Sequence, residues 1–142
     1  MQARAAAHAG LDIALLAASL ETFCGREARL VERFYALFFG RHPDVRALFG
    51  EHGISEREEM IRETLASVLA LALAEPWLGE NLTAMGRSHA EYGVEGPMYD
   101  AFVDCMLDAL EDVAGPDWAP GSREAWHGAL GQITETMRRA AS

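Results

Sequence analysis

Lysine is absent from this 142-residue chain, and cysteine occurs only twice. All 12 basic residues are arginines, scattered from Arg4 to Arg139, against 22 acidic residues, for a formal charge of −10. A nucleic-acid surface needs a concentrated basic footprint, which this distribution does not provide. Cys24 and Cys105 fit neither a disulfide framework nor a metal-binding spacing. Their apolar neighbours suggest inert core thiols, and free thiols suit a reducing, cytoplasmic setting. No apolar run approaches the ~20 residues of a membrane span, so no membrane partner is expected. Strand formers are also scarce: six Val, four Ile and five Thr stand against 25 Ala and 16 Leu. Unbranched side chains lose little rotamer freedom in helices, so the composition predicts an all-α domain.

Half of the residues are hydrophobic, which is ample for one core, and the length suits a single domain. Residues 1–10, rich in Ala, read as a frayed terminus, and 11–142 as the domain. Arg4 with the apolar stretch from Ala14 to Leu20 has some signal-peptide character. Asp12 interrupts it, and Leu11, Leu15, Leu16 and Leu20 recur at helical spacing, which favours a first helix.

Glycine and proline punctuate the remainder. Helices are expected from about Leu11 to Phe23 and from about Arg26 to Gly40, the second ended by His42-Pro43. A helical turn from Pro43 to Phe49 leads into the loop Gly50–Gly53. Ser55, with Glu58 three residues later, has the capping-box pattern. It opens a helix expected to bury Ile61, Leu65, Val68, Leu69 and Ala72, which Pro76 closes. A helix from about Leu78 to Tyr92 ends at Gly93. Pro97 sits inside the start of the next, which buries Tyr99, Phe102, Val103, Met106, Leu107 and Leu110. The last presents Trp126, Leu130, Ile133 and Met137. Six or seven helices of unequal length, joined by kinked corners, suit a globin-like packing better than an up-down bundle.

Two polar residues interrupt apolar stripes. His89 lies in the stripe Leu78, Leu82, Met85, His89, Tyr92. It is either a core histidine with a hydrogen-bond partner or a ligand to metal or haem. No His or Cys recurs at the spacing a zinc site requires, whereas a macrocycle supplying four nitrogens needs only one protein ligand. Tyr35, among Phe34, Phe38 and Phe39, is either a core tyrosine bonded to a backbone carbonyl or a donor aimed into a dry cavity. Phe49 alone reads as a core aromatic. Asp100, Asp104, Asp108, Glu111 and Asp112 read as a solvated helix face, with a docking surface for a basic patch on a reductase as the alternative.

Three motifs carry a family resemblance. Phe34-Tyr35-Ala36-Leu37-Phe38-Phe39-Gly40-Arg41-His42-Pro43-Asp44-Val45-Arg46-Ala47-Leu48-Phe49 resembles the B helix, C turn and CD corner of bacterial single-domain haemoglobins and flavohaemoglobin globin domains. Gly86-Arg87-Ser88-His89, then Tyr92-Gly93-Val94 and Tyr99, resembles their proximal region. Gly115-Pro116-Asp117-Trp118 and Arg123-Glu124-Ala125-Trp126 resemble the GH corner and early H helix. The resemblance implies a globin fold around haem b, with His89 as the ligand to iron. It makes Tyr35 the distal donor to bound dioxygen, Phe49 the aromatic against the haem face, and Tyr99 a proximal tyrosine.

Two departures qualify it. Counting back from His89 puts Arg57 where a distal glutamine is usual, with Ile61 one turn further in. Arg57 could donate to the ligand or turn to a haem propionate. The short loop before Ser55 leaves His52 or Met60 as alternative sixth ligands. Ala141 occupies the position of a late glutamate that bonds the proximal histidine, and Glu135 is the nearest carboxylate.

The function implied is reversible binding of dioxygen and other small gases, such as nitric oxide and carbon monoxide. Nitric oxide dioxygenation would follow if an external reductase supplied electrons, because no reductase segment follows in the sequence. A haem-based sensor or redox protein acting through a partner is the competing class, and a haem-free helical interaction module the third. A monomer or homodimer is expected.

Overall fold

The computed structural model describes residues 11–49 and 53–141. The expected frayed segment 1–10, most of the loop before the fourth helix and His52 lie outside the described residues. Seven α-helices make up the described chain, with no strand among its residues. They are α1 (Ile13–Thr22), α2 (Glu27–Arg41), α3 (Arg46–Phe49), α4 (Ile54–Ala72), α5 (Leu78–Glu91), α6 (Gly96–Ala114) and α7 (Ser122–Ala140). A 3-10 turn, Pro43–Val45, precedes α3, and another, Gly115–Asp117, follows α6. No described helix is long and apolar enough to cross a membrane.

Local chemistry explains most boundaries. Asp12, which interrupts the N-terminal apolar stretch, is the cap of α1: its carboxylate accepts from the Leu15 amide at 3.0 Å. His42 leaves the helical region because Pro43 follows it. Pro97 lies in the first turn of α6, where its missing N–H costs nothing. Helix α4 ends in a left-handed turn at Ala74 (φ 54°), with the Glu75 amide bonded to Ala70 O and the Ala74 amide to Leu71 O. This is the usual glycine motif made with alanine.

The elements wrap one apolar core. Helix α5 packs along α7, α2 along α6, and α1 bridges α4 and α7. Trp126 on α7 is fully buried, stands edge-on to Phe23 at 6.1 Å, and donates its indole N–H to Ser19 Oγ at 2.7 Å. That bond satisfies both polar atoms of the α1–α7 contact, which burial would otherwise penalise.

Four sequence expectations need correction. Ser55 is not the cap of α4: the helix starts one residue earlier and Gly53 takes the cap position, without a side-chain bond. Leu69 is 45% exposed, because α4 instead covers the small residues Ser67 and Ala70. Tyr92 is 74% exposed, because α5 has ended: its last buried residue is Gly86, and His89 is only half-buried. Cys24 is exposed at the end of α1, whereas Cys105 is buried as expected.

The acidic face of α6 is also more structured than a solvated surface. Asp100 pairs with Arg138 at 2.9 Å, Asp112 with Arg33 at 2.8 Å, and Asp108 with both Arg41 at 2.8 Å and Arg123 at 2.9 Å. The hydrogen bond from Arg41, reinforced by Arg123, holds the Asp108 carboxyl below its ordinary range. Such half-exposed pairs contribute little individually, about 0–1 kcal/mol each. Their geometric effect is to lace α6 to α2 and α7.

Gly86 marks a close approach of α5 to α7. A Cβ built on it would collide with the Met137 carbonyl oxygen and stand 2.8 Å from the Met137 Cα. These are backbone atoms and cannot rotate aside. Gly86→Ala is therefore expected to destabilise the protein by about 1–3 kcal/mol, the usual cost of overpacking, measured by urea unfolding. An unchanged midpoint would show that α5 and α7 do not touch there.

Candidate functional site

Helix α2 supplies an aromatic wall. Phe34, Tyr35 and Phe38 are buried, and Tyr35 is only 5% exposed. Phe49, at the end of α3, closes against this wall: its ring lies 5.4 Å from Tyr35 and 5.3 Å from Phe39, both edge-on. Tyr35 and Phe39 are 5.3 Å apart, which completes a triangle. Edge-to-face and tilted contacts of this kind stabilise beyond the area they bury.

Arg57, in the first turns of α4, lies on the same wall. Its guanidinium carbon is 5.2 Å from the Phe39 ring centre and 5.8 Å from that of Tyr35. The Tyr35 hydroxyl donates to the backbone carbonyl of Arg57 at 3.1 Å. Burial pushes the phenol's pKa well above the ordinary tyrosine value, with the Arg57 charge a smaller opposing influence. The hydroxyl therefore keeps its proton and remains a donor. Ile61, one turn along α4, is 1% exposed, and Met60 beside it is partly buried.

His89 stands on α5, one turn from the α5–α7 approach. Its Nδ1 lies 2.7 Å from the Met85 carbonyl oxygen, which can only accept. Nδ1 therefore carries the proton and donates, and the lone pair of the neutral ring resides on Nε2. No described residue bonds Nε2. Gly93, at φ 97°, ends the helix, with the Val94 amide bonded to His89 O and the Gly93 amide to Ala90 O. The histidine backbone is thus held between a close helix crossing and a glycine stop.

Tyr99 lies on α6, 6% exposed, and its buried hydroxyl has no hydrogen-bond partner. It makes no bond to His89, whose Nδ1 is committed to Met85. The Arg138 guanidinium stands over the Tyr99 ring at 5.8 Å. Burial raises the Tyr99 phenol's pKa, opposed by Arg138. Glu135 pairs with Arg139 at 3.1 Å, and Ala141 is exposed beyond α7. Neither therefore stands in for the proximal glutamate; the carboxylate that interacts electrostatically with His89 is Glu63 on α4, whose pKa is raised mainly by burial and lowered by that histidine.

Tyr35, Phe49 and Arg57 are thus brought into direct contact, with Ile61 one turn on. His89 and Tyr99 come from separate helices. Sequence reasoning treated Phe39 as core, yet it links all three distal groups. The Met85 carbonyl was also missed, since a backbone acceptor has no residue signature. Its position four residues before His89 on a helix was the available clue.

These residues fit a planar iron macrocycle. A neutral imidazole offers one nitrogen ligand, oriented through its other nitrogen. An aromatic and aliphatic wall faces a cation and a protonated phenol. Buried polar atoms without partners, the Tyr99 hydroxyl and the Arg57 Nε, accompany them. No group of three or more His, Cys, Asp or Glu that could hold a bare metal ion occurs among the described residues.

The fold and this site define an all-helical single-histidine class. The globin family model matches residues 32–137, and the chain belongs to the globin family, whose members generally bind haem. The chain is similar to a protein described as an uncharacterized globin-like protein from Aquifex aeolicus (strain VF5), with 23% identity over 108 residues, 76% of each chain.

Proposed function

We propose that this protein is a haem b globin of the bacterial single-domain type that binds dioxygen reversibly, in which His89 would hold the haem iron through Nε2. The observation that carries this reading is the 2.7 Å bond between His89 Nδ1 and the Met85 carbonyl. A donor commitment at Nδ1 fixes the tautomer and ring orientation, and leaves Nε2 as the ligating atom. When bound, haem supplies a ferrous centre able to take dioxygen, nitric oxide or carbon monoxide.

The chain's own residues perform the selective work. Phe49 and Ile61 present apolar surface that excludes water from the ligand side. Tyr35 turns its proton from the Arg57 carbonyl toward the ligand, and a dry surrounding strengthens that bond. Arg57 adds a permanent cationic donor. Tyr99 packs on the proximal side without bonding His89, so the group that would make the His89 ring more basic toward a bound iron is the Met85 carbonyl. Conversion of nitric oxide and dioxygen to nitrate is the enzymatic extension of this reading. It requires one electron per turnover from an external reductase.

Two experiments test the assignments. His89→Ala is expected to lose haem, or its normal Soret spectrum, during titration with haemin. Wild-type retention and spectrum would remove His89 as ligand. Tyr35→Phe should speed dioxygen dissociation about tenfold, matching a lost hydrogen bond of ~1–1.5 kcal/mol. Because the raised phenol pKa keeps the donor protonated, the wild-type dissociation rate should stay flat up to about pH 10, the ordinary tyrosine value. A rate that climbs with pH below that point, or is unchanged in Tyr35→Phe, would contradict the donor role.

A further inference from the structure

Three of the five exposed large apolar residues, Leu69, Leu73 and Trp77, gather at the corner that joins α4 to α5. They are 45%, 54% and 51% exposed. Leu69 and Leu73 lie one turn apart at the end of α4, and the exposed Ala66 and Arg62 continue that stripe toward its start. A single exposed leucine needs no explanation, whereas clustered apolar side chains on a polar chain mark a surface that something covers. Two features set this corner apart further. Ala74, between Leu73 and Glu75, holds the left-handed φ of 54°, a conformation that glycine would adopt without strain. Pro76, next to Trp77, lines a cavity of about 530 Å³ together with Gly79, Glu80, Thr83, Arg87 and Thr136.

Charge decides what fits the stripe. At its upstream end stand Glu58, Glu59 and Arg62, and the arginine is already engaged, 3.3 Å from Glu59 and 3.8 Å from Glu58. At its downstream end are Glu75 and Glu80, neither ion-paired among the described residues, with Arg87 two turns along α5 from Glu80. Each end thus carries two carboxylates and one arginine, a net negative charge on both sides of the apolar centre. A second copy of this chain, itself at −10, would bring acid to acid in either relative orientation.

We infer that the outer face of α4 and the α4–α5 corner form a docking surface for an amphipathic helix of a partner protein. That helix has an apolar stripe at i, i+4 and i+7 and basic residues at both of its ends. The stripe covers Leu69, Leu73 and Trp77, and the basic ends meet the carboxylates that flank them. The surface uses none of the residues assigned to haem, so the inference stands or falls separately from the haem reading.

The test is fluorescence anisotropy of a labelled, helix-stabilised peptide titrated with the full chain. The peptide carries Leu at i, i+4 and i+7 and Arg at both ends. It should bind in a salt-sensitive manner. Versions with Glu in place of Arg, or Ser in place of Leu, should each bind about tenfold more weakly or worse. Leu69→Ser combined with Leu73→Ser should weaken the Arg-ended peptide by a similar factor and leave the helical circular dichroism unchanged, because both side chains are exposed. Glu75→Gln with Glu80→Gln should weaken it and flatten the salt dependence. Equal binding of the Glu-ended or Ser-substituted peptide, or of the Arg-ended peptide to the double serine variant, would overturn the proposal. So would no binding of the Arg-ended peptide at about 1 mM protein. Sedimentation showing a wild-type dimer that the double serine variant turns into monomer would also overturn it, by giving this face to a second copy.

Discussion

Where Gly86 lies against the backbone of Met137, α5 and α7 approach too closely to admit a Cβ, and that approach fixes His89 one turn further along. Any side chain larger than hydrogen would push α5 outward and carry the imidazole with it. The same helical turn brings the Met85 carbonyl within 2.7 Å of Nδ1. One backbone crossing therefore sets position, and one backbone carbonyl sets tautomer. Neither depends on a long side chain that could adopt another rotamer. Gly93 completes the frame by ending α5 four residues after His89, with the Val94 amide closing on the His89 carbonyl.

The aromatic wall is organised differently. There the constraint is aromatic, with Tyr35, Phe39 and Phe49 in mutual contact and the Arg57 guanidinium on two of their faces. The polar groups on this wall include a protonated phenol and a fixed cation, while Glu63 further along α4 is coupled electrostatically to His89. The acidic residues of α6 are drawn instead into pairs with arginines on α2 and α7. The surface excess of negative charge thus helps hold the helices together.

Much of this was legible in the sequence, for physical reasons. The 3.6-residue spacing of apolar side chains located the long helices, and Pro43 and Pro97 marked a stop and a start because of what proline cannot donate. His89 and Tyr35 stood out as polar groups on apolar faces. What failed was decided by packing or backbone geometry. Leu69 fits the helical stripe but lies outside because small residues took the covered face. Ser55 has a capping pattern, yet the helix propagates past it to Gly53. Tyr92 follows the spacing of the stripe only if the helix continues, and it does not. Cys24 has apolar sequence neighbours, but its own place at the end of α1 is open to water. The bland reading of Tyr35, a hydroxyl on a backbone carbonyl, is what the structure contains. The acceptor is the carbonyl of Arg57, so the bland and the functional readings concern the same pair of residues.

The central claim is that one neutral histidine, held by a backbone carbonyl, ligates iron in this chain. Recording the spectrum of the reduced, haem-loaded protein before and after addition of carbon monoxide tests it most directly. The account predicts a single histidine-ligated ferrous species that converts fully to a carbonyl adduct with a sharp Soret band. A chain that acquires no Soret band, or a ferrous form locked by two protein ligands that carbon monoxide cannot displace, would contradict it.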